Sequence, residues 1–366
     1  MPVPAARSAR NGSSPKTPLA LGCLALLAAA CADARGRDNE APEVRSQAIK
    51  AIDFDAIYVV NGDDATVSVI NAETSQVAGT IRLFGVAYPH HVYVSPDRAV
   101  LGIAVPGFDM SEGHLGHEIH SARPGVVVLL DAVTGERLNA VRTDASNHNV
   151  AFPPNLGGEV WTSQATSPGT TLVLDRVTLE VKDVISVGDS PSETTFSADG
   201  RFAFVANTGS ASISVIDTTQ RRVVKQIPVG SGPVGAWQGP NGVAYVDNEG
   251  DHTITVIDTV RLEALRTFPL PFRPGLVAVS ATAPGEVWIT DPGDARVEVR
   301  SPTGEVLRTA KTGRGAHAIV FSPDGQRAYV TNLLEDNVHV FDTRTLELHA
   351  IIPVGARPNG LAWRSK

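Results

Sequence analysis

Seven short apolar segments, each ending on Asp, Asn or Ser, recur along this 366-residue chain and constrain its fold more than any other feature. They read TVSVIN to Asn71, VVVLLD to Asp131, TTLVLD to Asp175, SISVID to Asp217, TITVID to Asp258, RVEVRS to Ser301 and NVHVFD to Asp342. From Asp131 onward the steps are 44, 42, 41, 43 and 41 residues. A fixed period of this length, filled with β-branched alternation and empty of helical periodicity, selects a four-stranded blade over a helical repeat. The first step, Asn71 to Asp131, is 60 residues, so one unit carries an insertion of about 18 residues.

Each unit has the same punctuation. A strand precedes the repeated segment, as in IYVVN to Asn61, FAFVAN to Asn207 and AYVTN to Asn332; a later strand closes on Gly, as at Gly230 and Gly355. A further strand then follows, with Pro or an equivalent residue at its start. The chain begins this pattern on a second strand near Ile57 and ends on an orphan first strand, Arg357 to Trp363. Pairing the two ends closes a ring and removes the open edge. The expected fold is all-β: a seven-bladed β-propeller of four-stranded antiparallel blades over residues 55–366, closed by a C-terminal strand that completes the first blade.

The motifs YVTN (Tyr329 to Asn332), SVID (Ser214 to Asp217), IPVG and FSPDG resemble the YVTN family of β-propeller repeat proteins over residue 55 to the end. The resemblance implies a bacterial exported or surface propeller. It implies no single activity, because propellers host many.

The N-terminus reads as an address. Arg7, Arg10 and Lys16 precede an apolar run, Leu19 to Ala30, that is too short to span a bilayer. Residues 1–30 are read as a lipoprotein-type signal peptide and 31–54 as a flexible linker. Leu27-Ala28-Ala29-Ala30-Cys31 resembles the lipobox of bacterial lipoproteins, which implies lipidation at Cys31; ordinary cleavage after Ala32 or Ala34 is the other route. Either implies export, to the periplasm or to the outer membrane and cell surface. Cys23 and Cys31 are the only cysteines, so the folded part has no disulfide, thiolate ligand or Cys nucleophile. The formal charge is −8; less the three N-terminal positives it becomes −11, which argues against nucleic acid as a partner and leaves a lipid anchor as the expected contact with membrane. A monomer is expected.

The insertion, 107–124, holds His114, His117 and His120. Aligned on one another, the first strands place His90, His148, Ser192, Val234, Gly275, His317 and Asn359 in one column, with His91 beside it. Three of these seven are His, against ten in the whole chain. In an antiparallel meander the start of a first strand and the end of a second share a face. The column and the insertion therefore emerge together at the channel mouth. Imidazole there suits copper, iron, haem iron or zinc. Pro89-His90-His91 shows a short resemblance to nitrous oxide reductase, whose propeller gathers histidines around copper. PHHVYVSPD is similar to the PHxxxxxPDG pattern of lactonase-type propellers, which implies sugar-lactone hydrolysis.

The plainer alternative is that polar turns simply tolerate His. Glu193, on a first strand beside the column, is a candidate acid or base, and with Asn359 is expected at the ligand face. Asp63, Asp64, Asp251 and Asp294 sit in turns with too few oxygens each for calcium. His252, His339 and His349 are read as solvated, and Trp161, Trp237, Trp288 and Trp363 as core between blades. Three readings stand: a module binding a protein, glycan or small molecule through its loop-rich face, a His-ligated metal propeller for redox or carriage, and a lactonase-like hydrolase.

Overall fold

The structure is a computed structural model that describes residues 43–110, 123–280 and 285–366. Seven antiparallel sheets are arranged as the blades of a propeller. Blade one is closed by the C-terminal strand Pro358–Arg364, which pairs with Ala56–Asn61, and is continued outward by Thr66–Asn71 and Gln76–Phe84. Cα partners run from Ala56↔Arg364 to Asn61↔Pro358, so the latch spans the whole strand.

The strand sequences explain the packing. Second and third strands lie between neighbouring blades, and their runs, such as AIYVVN and SISVID, are buried almost throughout. Fourth strands face water on the rim and read accordingly, as in RVVKQIP of blade four.

The Asp that ends five of the seven third-strand segments is turn chemistry. Asp131, Asp175, Asp217, Asp258 and Asp342 each accept two backbone N–H groups through Oδ1, from the second and third residues onward. The Asn that ends second strands does a different job. Asn248 donates to Thr253 and Thr255 across the hairpin, and the Gly230 that precedes the blade sits against it, so close that a Cβ there would come 2.7 Å from the Asn248 amide. Gly355 meets Asn61 the same way. The repeated Gly and Asn are thus two halves of one contact.

Two expectations change. Blade three has three full strands, Glu159–Gln164, Thr170–Asp175 and Val181–Ser186; its innermost segment meets them at the isolated bridges Asn147↔Gln164 and Ala151↔Trp161. The Asn149 side chain turns to blade four instead, donating to Thr194 O and accepting from Thr194 N. The flexible linker expected over 31–54 does not extend to residue 54. Arg45–Ser46 pairs with Leu83–Phe84 as a fifth strand of blade one, Val44 and Ile52 are buried, and Ile49 and Ile52 donate to blade two at Thr134 O and Val133 O. Its apolar residues at 44, 49 and 52 give it a face to bury. The expected signal peptide over residues 1–30, and Cys31, lie outside the described residues.

Candidate metal centre

Backbone pairing at the ring closure fixes the first two histidines. His90 donates its N–H to Ala104 O, and Ala104 N–H donates to His91 O. On the other side Gly360 of the closing strand donates to His90 O. A side chain at 360 would meet the His91 Cα and Nδ1 at 2.8 Å each, so only Gly lets the latch pass here. His317 is placed by Thr290, whose hydroxyl donates to His317 O.

The column converges. His90 and His91 from blade two, His148 from blade three and His317 from blade seven are all buried. His90 lies 4.3 Å from His91, 4.6 Å from His148 and 6.1 Å from His317, ring centroid to centroid; His91 lies 5.0 Å from His148 and 5.9 Å from His317. The Nε2 atoms of His90 and His148 are 3.2 Å apart. Two sets of donor atoms, those of His90, His91 and His317 and those of His91, His148 and Glu193, each fall within 4.8 Å of one another.

Glu193 is not at a ligand face but inside, with no exposed surface. Its Oε1 is 2.7 Å from His148 Nδ1 and 3.7 Å from His91 Nε2, and Tyr93 donates its hydroxyl to Oε2 at 2.8 Å. Burial pushes the carboxyl up to about 8, against the Tyr93 hydrogen bond, with the charge of Asp247 adding to the rise. Burial and then Glu193 push the Tyr93 phenol well above its ordinary value. The Glu193 contact at His148 Nδ1 fixes the tautomer and orientation of the ring and leaves Nε2 toward His90, the usual way a protein orients an imidazole ligand.

Asp247 is the member of this network that repeat reasoning passed over. Its carboxylate is fully buried; Oδ1 accepts from Gly235 N and Trp237 Nε1, and Oδ2 has no partner. Burial, and then the charge of Glu249, hold it well above the usual carboxylate range. The signal was present: second strands carry Val60, Ala104, Ser163, Ala206, Thr290 and Thr331 at its register, and Asp247 is the one acid. Tyr93 was likewise visible only as a strand residue.

Asn359 is buried in the column; its backbone carbonyl accepts from the Thr331 hydroxyl, and its side-chain oxygen has no partner. His114, His117 and His120 lie outside the described residues. His252 and His349 are exposed, but His339, expected in solvent, is buried beside Phe341, because third strands pack between blades. Trp161 and Trp288 are core as expected, whereas Trp237 and Trp363 are half-buried on first strands. The turn aspartates satisfy backbone and arginine groups, as where Asp64 accepts from Ala356 N and Asp251 from Ser231 N.

The donor set fits a bare ion. Two nitrogens about 2.1 Å from a shared transition ion stand roughly 3.2 Å apart at an angle near 100°, which is the His90–His148 separation. The rings are too close together to admit a macrocycle among them.

No family model and no curated protein matches the chain. Solved structures do. The dihydro-haem d1 dehydrogenase NirN in complex with DHE is 17% identical over 86% of this chain and 76% of its own, with a TM-score of 0.60. Kuenenia stuttgartiensis hydrazine synthase is 21% identical over 75% and 89%, TM-score 0.61. The periplasmic gluconolactonase of Pseudomonas aeruginosa is 17% identical over 85% and 99%, TM-score 0.67. At these identities the likeness is one of fold.

Proposed function

We propose that this propeller is a metal-binding protein that holds one transition-metal ion at its channel mouth, with ligands drawn from His90, His91, His148 and His317. One observation carries the reading: four imidazoles from three blades, distant in sequence, are buried in mutual contact against a buried carboxylate. Solvated turn histidines would have no reason to converge. The all-nitrogen donor set suits copper, zinc or iron, with copper(II) held tightest among the divalent ions. A redox-active ion here would supply one-electron chemistry and zinc a Lewis acid. The chain's own part is to orient His148 through Glu193 and to exclude bulk water.

The folds of NirN and hydrazine synthase, named for haem and nitrogen chemistry, and of the gluconolactonase leave the reaction open between redox and hydrolytic classes. An envelope placement belongs to the same proposal, with a processed chain that begins at a lipidated Cys31 and has a mass raised by the acyl group.

The test is metal content of the purified chain after exposure to copper(II), zinc(II) and calcium(II). One equivalent of copper or zinc, none of calcium, and less than a tenth of that in a His90→Ala/His148→Ala variant are expected. A wild-type chain that retains neither metal after desalting overturns the reading. Lactone hydrolysis that persists in chelator would favour the hydrolase instead.

A further inference from the structure

Below the imidazoles the channel continues as a chamber of 340 Å³. The repeat builds it. Two alternate positions of the first strands supply the wall: His91, Leu276 and Ala318 at one level, and Tyr93, Trp237, Ala278, Val320 and Ala362 two residues on. Val92, Val277, Ile319, Leu361, Val279, Gln238 and Trp363 complete it. No Lys, Arg, Asp or Glu is among these side chains.

We propose that this chamber is a second binding site, for a neutral, largely aromatic organic molecule that lies against the ring of His91. The volume falls within the range of small-molecule sites, about 300–1,000 Å³. An ion would lose its hydration there with no counter-charge in the wall to replace it. The aromatic wall is held in place before any ligand arrives. Trp237 donates Nε1 to Asp247 Oδ1 at 2.9 Å, and Gly235 leaves room for the indole, since a Cβ there would come 2.6 Å from the ring. Keeping that grip uses a buried carboxylate with an unpartnered Oδ2, a costly way to orient a residue that only filled space. The Tyr93 hydroxyl is committed to Glu193, so its ring faces the chamber as apolar surface, and Gln238 is the remaining polar handle. His91 belongs both to the chamber wall and to the donor cluster, so the ligand would touch the metal's own ligand ring.

The probe is 1-naphthol, a neutral two-ring molecule, titrated into the full chain with and without copper and followed by tryptophan fluorescence. Saturable binding at one equivalent is expected in both forms, with 1-naphthalenesulfonate at least ten-fold weaker. Ala278→Trp and Val320→Trp, which fill the chamber away from the histidines, should each weaken 1-naphthol at least ten-fold while copper stoichiometry stays at that of wild type. Absence of saturable binding, or equal binding in whichever filled variant melts like wild type, overturns the chamber. The two readings fail separately: 1-naphthol binding without copper uptake sinks the metal centre alone, and copper uptake without 1-naphthol binding sinks the chamber alone.

Discussion

His90 and His148 stand 58 positions apart in sequence and on different blades, yet their Nε2 atoms are 3.2 Å from each other. Two imidazole nitrogens reach that distance by sharing a proton or by sharing an ion. In the metal-free protein one of the two must carry N–H toward the other, since two lone pairs would repel. The Glu193 contact at His148 Nδ1 decides which: an ionised Glu193 makes His90 the donor, and a protonated one makes His148 the donor.

Metal uptake must therefore move that proton off Nε2, and a neutral ring can carry it on Nδ1 with no net release. Copper(II) affinity, measured by calorimetric titration, should rise with pH between 6 and 8 as protons cease to compete for the imidazole nitrogens. An affinity independent of pH over that range would mean that imidazoles do not ligate.

Glu193 meets His148 Nδ1 at 2.7 Å, and in the proposed centre it acts through that ring. Glu193→Gln keeps the shape and replaces the carboxyl that meets His148 Nδ1 by an amide, so copper affinity should fall about 10–100-fold, the usual cost of losing an outer partner. Far-UV circular dichroism should be unchanged. Equal affinity in wild type and variant would remove Glu193 from the site.

Gly360 gives a test of the ring closure as a positioning device. The Cβ of Gly360→Ala would press on His91 at 2.8 Å and on the His90 carbonyl at 3.1 Å. Displacing these two residues should weaken copper by at least about ten-fold, while Gly62→Ala, where a Cβ meets nothing closer than 3.6 Å, should not.

The ring itself was legible because turns and strand ends repeat: the Asp of SVID and the Asn of YVTN do local jobs that any one unit displays. The histidine column was legible because the register of first strands maps directly onto height in the channel. What the register does not carry is direction across the ring. His317 is two blades from His90 in ring order, and only the closed geometry shows that the rings meet. Asp247 and Tyr93 were missed because each looks ordinary within its own strand; their part arises from neighbours on other blades. His339 was misread for a related reason, since a polar residue on a third strand is buried by the next blade regardless of its own chemistry.

The C-terminal latch should be indispensable. Pro358–Arg364 supplies the innermost strand of blade one, and Arg364 Nε donates to Arg98 O of blade two. Deleting 358–366 exposes a buried strand edge and empties part of the channel wall. A loss of at least about 5 kcal/mol, or about 10 °C in melting temperature, is expected. Copper binding should vanish with it, because Gly360 no longer holds His90. A truncated chain that melts like wild type would show that the ring closes some other way.

The pH dependence of stability should report on Asp247. Its carboxyl sits well above the ordinary value because burial disfavours the charge and Glu249 lies nearby, with only Gly235 N and Trp237 Nε1 to oppose them. In the folded protein it keeps its proton where the unfolded chain has already released one. The stability it contributes is complete below about pH 3.9 and is lost as pH rises toward the folded value, at up to about 1.4 kcal/mol per unit. Asp247→Asn retains an acceptor for Trp237 and cannot ionise. The melting temperature of metal-free wild type should therefore fall relative to the variant between pH 5 and pH 8. Glu193 is present in both proteins, so its own titration largely cancels in the difference. A gap that stays constant across that range would mean that Asp247 is ionised and balanced in the folded state, and the orphaned Oδ2 would then need a partner that this network does not supply.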